Sequence, residues 1–185
     1  MCGDEETARF LESGKYEILI SADEIKAKVQ ELGKKISEDY RGKCPILVGV
    51  LNGGFIFCAD LFRCLEIDCE VDFIKISSYG DAMETSGKVK LKKNVDAHLQ
   101  DRHVIVVEDI VDSGYSVQYL RKRIESCKPK SLKFVSLLVK EGNQQVPYKI
   151  DYVGFRIPNR FVVGYGLDLA QKFRNLPHIY LMDES

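Results

Sequence analysis

The sequence predicts an α/β fold with a largely parallel central sheet, and three observations lead there. The runs Ile46–Leu51 and Val104–Val107 are continuously apolar, the character of strands covered on both faces. Segments with helical spacing stand between these and the other strand-like stretches, the alternation expected of parallel strands joined by crossover helices. Finally, 185 residues without internal repeat or low-complexity linker suit one domain with a single layered core, spanning 1–185.

Taken in order, Tyr16–Ile20 reads as a short strand. Ser21 then caps a helix, with Glu24 three residues on in capping-box position. Ile25, Val29, Leu32 and Ile36 form one apolar stripe along it. Pro45 precedes the strand Ile46–Leu51, and Asn52-Gly53-Gly54 turns the chain into a helix through Phe55, Ala59, Leu61 and Phe62. Glu70 to Ser77 alternates, which puts Val71, Phe73 and Ile76 in the core. Ser78 to Gln100 is polar and glycine-punctuated apart from Val89-Lys90-Leu91, so a mobile surface excursion is expected. A strand over His103–Val107, a helix over Val117–Ile124, and strands over Leu132–Val139, Asp151–Ile157, Phe161–Val163 and Ile179–Leu181 complete the chain. The expectation is one doubly covered sheet plus a small extra lobe.

Composition excludes several functions. Lys+Arg 27 against Asp+Glu 28 gives a net charge of -1, whereas a non-specific nucleic-acid binder carries a basic excess. No apolar run approaches the roughly 20 residues that span a bilayer. Met1 to Glu12 has neither a basic n-region nor an apolar h-region, and a cytoplasmic location is expected. Cys2, Cys44, Cys58, Cys64, Cys69 and Cys127 form no C-x-x-C pair and read as reduced core thiols rather than a zinc site. His98, His103 and His178 are scattered and read as surface or strand-end residues. Gly164-Tyr165-Gly166 is followed by leucine at position 169, so the Rossmann fingerprint is not met, and no Walker loop is present.

The chemistry concentrates in Val104 to Ser116. Four apolar residues run into Glu108 and Asp109, followed by Ile110, Val111 and the loop Asp112-Ser113-Gly114-Tyr115-Ser116. Burying an unpaired carboxylate costs several kcal/mol, so the acid pair is expected at the wet carboxyl edge of the sheet, where open α/β sheets bind ligands. The amides of Ser113, Gly114, Tyr115 and Ser116, with two hydroxyls, make a phosphate cradle at the positive end of a helix. Asp112 would be repelled by a phosphate by about 1 to 4 kcal/mol at contact distance, so its carboxylate should face what the phosphorylated ligand reacts with, as a general base. Taken alone, Asp112 could simply cap the helix. Likewise Lys140 could be an exposed strand-end charge, and Phe161 and Val162 core residues only.

The run from Val104 to Ser116 resembles the phosphoribosyl-pyrophosphate (PRPP) signature of the type I phosphoribosyltransferases. From about Tyr16 to Tyr180 the chain is similar to their hypoxanthine-guanine branch, the purine-salvage enzymes. The resemblance implies that family's fold, with a hood built from N- and C-terminal segments and a flexible lid at about 78–100 carrying Ser78-Tyr79. It implies Mg²⁺-dependent transfer of 5-phosphoribose from PRPP to N9 of hypoxanthine or guanine, giving IMP or GMP and pyrophosphate, by a homodimer or homotetramer. A lid suits this chemistry, because water would compete for an oxocarbenium-like transition state.

By the same resemblance Glu108 and Asp109 bind the ribose hydroxyls and, with Asp168, hold Mg²⁺. The loop Asp112 to Ser116 holds the 5′-phosphate, and Asp112 takes the proton from N7 of the purine. Leu51, Asn52, Gly53 and Gly54 form the pyrophosphate loop, with a non-proline cis peptide between the first two, and Arg174 contacts pyrophosphate. Lys140 meets the purine 6-oxo group, a carbonyl that a pure donor selects over an amino group. Phe161 stacks on the base, the carbonyl of Val162 reads its edge, and Asp168 lies beside them. Asn52 stands where many members carry lysine, and Gly166 where alanine is common. The rival from another class is a non-catalytic PRPP-binding regulator of the same fold. It could lose the base-reading residues, whereas this chain has Lys140 and Asp112 and lacks a helix-turn-helix appendage.

Overall fold

The computed structural model describes residues 16–78 and 89–182. Its elements are β1 (Tyr16–Ile20), α1 (Ala22–Asp39), β2 (Ile46–Leu51), α2 (Phe55–Arg63), β3 (Glu70–Ser78), β4 (Val89–Lys93), β5 (His103–Val111), α3 (Tyr115–Glu125), β6 (Ser131–Lys140), β7 (Tyr152–Ile157), β8 (Val162–Val163) and β9 (Ile179–Met182). The central sheet has the order β4-β3-β2-β5-β6-β7. Every neighbouring pair is parallel except β3 and β4. A separate three-stranded sheet, β1-β9-β8, is antiparallel and joins the N- and C-terminal parts of the described chain.

Local chemistry explains the start of α1. The Ser21 hydroxyl accepts from the Glu24 amide at 3.3 Å while the Ser21 amide donates to the Glu24 carboxylate at 2.8 Å, the reciprocal box that satisfies two otherwise orphaned donors. A third donor, the Ala22 amide, bonds Nδ1 of His178 at 2.8 Å. His178 is thus a helix cap contributed from across the fold, not a plain surface or strand-end residue. The stripe Ile25, Val29, Leu32 and Ile36 is buried against one face of the sheet, with Leu47, Phe57, Leu61, Ile105 and Val135. The other face carries a second core: Ile46, Val48, Ile74, Val104, Val106 and Phe134 with Val117, Leu120 and Ile124 of α3. Both faces being covered accounts for the unbroken apolar runs of β2 and β5.

The structure corrects four expectations. In β3, Val71 is 42% exposed although Phe73 on the same face packs against the core, and Ile74 on the opposite face, covered by α3, is fully buried. The described part of the polar stretch after β3, residues 89–100, is built into the fold rather than a mobile excursion. The edge strand β4 pairs with β3, the Asp72 carboxylate accepts from the amides of Asp96 and Ala97 at 2.7 Å each, and Leu99 is buried. Tyr79 lies outside the described residues, and Ser78 is the last residue of β3. Cys2 lies outside the described residues. Of the described cysteines Cys58 is fully buried, where burial pushes its thiol up to about 12, Cys64, Cys69 and Cys127 pack partly buried against the core, and Cys44 alone departs from the core reading by being exposed. Strand β5 runs four residues beyond Val107, so Glu108 lies inside the sheet and is buried rather than at a wet edge. Pairing with β6 extends to Val111 and Val139, and this hydrogen bonding outweighs the cost of enclosing the carboxyl group.

Candidate active site

The carboxyl ends of β2, β5 and β6 meet the segment after β8 around a cavity of about 340 Å³. From the β2 turn come Asn52 and Gly53; from β5 and its loop, Asp109, Ile110 and Asp112; from the end of β6, Lys140. The C-terminal segment adds Phe161, Val162, Leu167, Asp168 and Arg174. The position agrees with the rule that parallel sheets bind ligands beyond the carboxyl ends of their strands.

After β5 the chain reaches Gly114, the N-cap of α3, at φ 92°. That left-handed conformation favours glycine, and a Cβ there would strike the Tyr148 ring, 2.8 Å from Cε1. The Ser113 carbonyl accepts from the Gln145 amide at 3.0 Å, tying the loop to the segment after β6. Among the described residues, the amides of Ser113, Gly114, Tyr115 and Ser116 donate to no protein acceptor. Four donors at a helix N-terminus, gathered by a turn that no side chain caps, form an anion cradle.

Asp112 lines the cavity and is held twice. Lys140 Nζ lies 3.3 Å from its Oδ2, and Asn143 Nδ2 donates to its Oδ1. Asn143 was not legible as a site residue: an amide in a polar loop has no pattern to mark it. Ile110 and Leu167 also escaped notice, since apolar residues next to a strand read as core.

On the opposite wall the Leu51-Asn52 peptide is cis. A Cβ on Gly53 would meet Asp109, 2.7 Å from its Cγ, so the absence of a side chain lets the loop abut that carboxylate. Gly166, at φ 99°, packs on Gly53 in the same way. Arg174 donates to the Gly166 carbonyl at 2.7 Å and pairs with Asp168 at 2.8 Å. Burial raises the Asp109 carboxyl to about 6; Arg174 opposes the rise and Asp168 adds to it. Phe161 is 43% exposed at the cavity wall, an apolar ring face available for stacking, and Val162 is buried in β8.

Glu108 is set apart. It does not line the cavity, its Oε1 has no partner among the described residues, and burial, then Asp109, push its carboxyl well above the usual range. Among the described residues no three His, Cys, Asp or Glu side chains come together to hold a metal ion, so Glu108, Asp109 and Asp168 do not form one ligand set. Asp109 and Asp168 do share the cavity.

A parallel sheet that presents carboxylates, a lysine and an arginine around one cavity, with the helix-end amides of Ser113 to Ser116 following the lining residue Asp112 in the chain, defines a protein that handles a phosphorylated small molecule. The phosphoribosyl transferase domain model matches residues 16–170, and the chain belongs to the phosphoribosyltransferase family, with its type I fold. It is 43% identical over 162 residues to the hypoxanthine-guanine phosphoribosyltransferase of Bacillus subtilis (strain 168), covering 88% of this chain and 90% of that protein. A crystal structure of a hypoxanthine-guanine phosphoribosyltransferase from Bacillus anthracis superposes with a TM-score of 0.85 at 46% identity, covering 90% of this chain and 98% of that one. The bifunctional protein TilS/HprT of Listeria monocytogenes (strain F2365) is 46% identical over 165 residues, 89% of this chain. The chain spans about a quarter of that relative's length, 26%.

Proposed function

We propose that this protein is a purine-salvage enzyme that transfers 5-phosphoribose from PRPP to N9 of hypoxanthine or guanine, releasing pyrophosphate. The observation that carries this reading is the pairing of Lys140 with Asp112 at the cavity, with the four unengaged amides following Asp112 directly in the chain: a base reader and a proton acceptor lining the cavity, and an anion cradle next to them. Relatives of similar length bear the name of that activity.

The residues divide the work by position. The amides and hydroxyls of Ser113 to Ser116 take the 5′-phosphate, and the Asp109 carboxylate accepts from the ribose hydroxyls. Asn52, Gly53 and Arg174 receive the departing pyrophosphate. Phe161 stacks on the purine while Lys140 turns from Asp112 to its 6-oxo group. Asp112, still held by Asn143, is then free to take the N7 proton as the new glycosidic bond forms. An amino group at the 6 position would put two donors face to face, a cost of about 1–3 kcal/mol, which disfavours adenine.

A Mg²⁺ ion fits this cavity. Mg²⁺ binds through one or two carboxylates plus substrate phosphates, and Asp109 and Asp168 supply that number. When bound, it would neutralise charge developing on the leaving pyrophosphate. The protein is further proposed to act in the cytoplasm as a homodimer or homotetramer. No helix among the described residues is long and apolar enough to cross a membrane.

The test is a panel of hypoxanthine, guanine, xanthine and adenine with PRPP and Mg²⁺, followed by product absorbance. Oxopurines are expected to turn over. Asp112→Asn should lower kcat by roughly 10²-fold or more with PRPP binding retained. PRPP binding by the wild type without turnover of any base would establish the regulator instead.

A further inference from the structure

We propose that Tyr165, through its hydrogen bond to Asp60, is a positioning residue that sets the span of the pyrophosphate half of the site; this rests on the transferase reading above. Tyr165 lies between Gly164 and Gly166, and the three have φ of 97°, 50° and 99°. A tyrosine tolerates that left-handed conformation poorly, so the surroundings must hold it there. They do so at several points. Gly164 and Leu167 exchange amide-to-carbonyl bonds at 3.1 Å, the Tyr165 amide donates to the Leu176 carbonyl at 2.8 Å, and the Gly166 amide donates to the Arg174 carbonyl at 2.9 Å.

The turn touches both pyrophosphate-binding elements at once. The carbonyl of Gly166 accepts from the Arg174 guanidinium at 2.7 Å. The Cα of the same residue abuts Gly53, so closely that a Cβ would lie 3.3 Å from the Gly53 carbonyl carbon with the oxygen nearer still. The Tyr165 side chain leaves in the other direction, and its hydroxyl donates to Asp60 Oδ2 at 2.7 Å. Asp60 belongs to α2, the helix that begins at the end of the Asn52-Gly53-Gly54 turn. The bond therefore closes a ring: turn, helix, Asp60, Tyr165, Gly166 and back to Gly53. Of the ring, Gly53 lines the cavity that Lys140, Asp112 and Phe161 also line, while Tyr165 and Asp60 do not. Tyr165 is buried, yet with Asp60 it lines a second cavity between α1 and α2, of about 470 Å³. The Tyr165 ring packs into the core with Ile25, Val29 and Leu61, and the hydrogen bond to Asp60 ties its hydroxyl to α2 at the border of that cavity.

The experiment compares Tyr165→Phe, Asp60→Ala and Asp60→Asn with wild type by steady-state kinetics, PRPP calorimetry and thermal melting. Tyr165→Phe keeps the ring and removes the hydroxyl; Asp60→Asn keeps an acceptor oxygen. The expected result is a KM and Kd for PRPP raised about three- to tenfold in Tyr165→Phe and Asp60→Ala, the worth of one hydrogen bond. Base KM and kcat should stay within about twofold, Asp60→Asn should stay near wild type, and the double variant Tyr165→Phe/Asp60→Ala should be no worse than either single. A lowered melting temperature with unchanged PRPP affinity, or equal loss toward PRPP and base, overturns the proposal. If the wild type binds PRPP without turnover, the transferase reading fails, while the comparison of Kd values still decides the role of Tyr165.

Discussion

Replacing Gly114 with alanine separates the two demands that the phosphate loop makes on that position. The first is conformational: at φ 92° a residue with a Cβ loses about 1–2 kcal/mol. The second is steric, because the new methyl would overlap the edge of the Tyr148 ring and sit 3.2 Å from the Val146 carbonyl; relieving such crowding costs about 1–3 kcal/mol. Together these give about 3 kcal/mol, and for a chain of this length roughly 6–12 °C in melting temperature. Gly42→Ala provides the control, since Gly42 has φ 71° and nothing within 4 Å of a built Cβ. It should show the dihedral cost alone, about 1–2 kcal/mol. The assay is differential scanning calorimetry of both variants, with and without PRPP. Gly114→Ala should melt lower than Gly42→Ala and gain less from PRPP, because the shifted turn misaligns the amides. If the two variants melt together and respond alike to ligand, the cradle is not built as described.

Lys140→Ala removes the donor expected to meet the 6-oxo group, and the ratio of kcat/KM for hypoxanthine over adenine should fall about tenfold; an unchanged ratio would remove Lys140 from base reading. Asp109 gives a pH signature. Its carboxyl is raised from the ordinary 3.8 to about 6, so the folded chain holds this proton more tightly than the unfolded chain, and stability declines as pH rises from about 4 to 6. In EDTA-treated protein, Asp109→Asn should flatten that decline, gaining stability over wild type above about pH 6 and none below about pH 4. Denaturant melts at pH 4 and 7 check this, and an equal change at both would refute it.

What the sequence disclosed depended on whether the determinant was local. The Ser21–Glu24 box and the stripe from Ile25 to Ile36 act within one or two turns, so spacing alone located α1. The acid pair and the Asp112 to Ser116 loop were visible because their order along the chain is itself the signal. Strand β5 was read too short because carboxylates look like a boundary, whereas its end is set by pairing with β6, which the sequence of β5 does not contain. The same blindness to distant partners hid His178 as the cap of α1 and Asn143 as a partner of Asp112. Val71 was read as core because alternation marks a face without saying how far along the strand its cover reaches: Phe73 on that face is packed against the core, while Val71 near the strand's start is not.

The edge strand β4 has a consequence for association. Lys90, Lys92 and Lys93 crowd its five residues, and its outer side offers unpaired backbone groups that could template another chain's strand. Repulsion between ammonium groups of two such borders opposes that addition. Copies of this protein should therefore not join by pairing one β4 border with another.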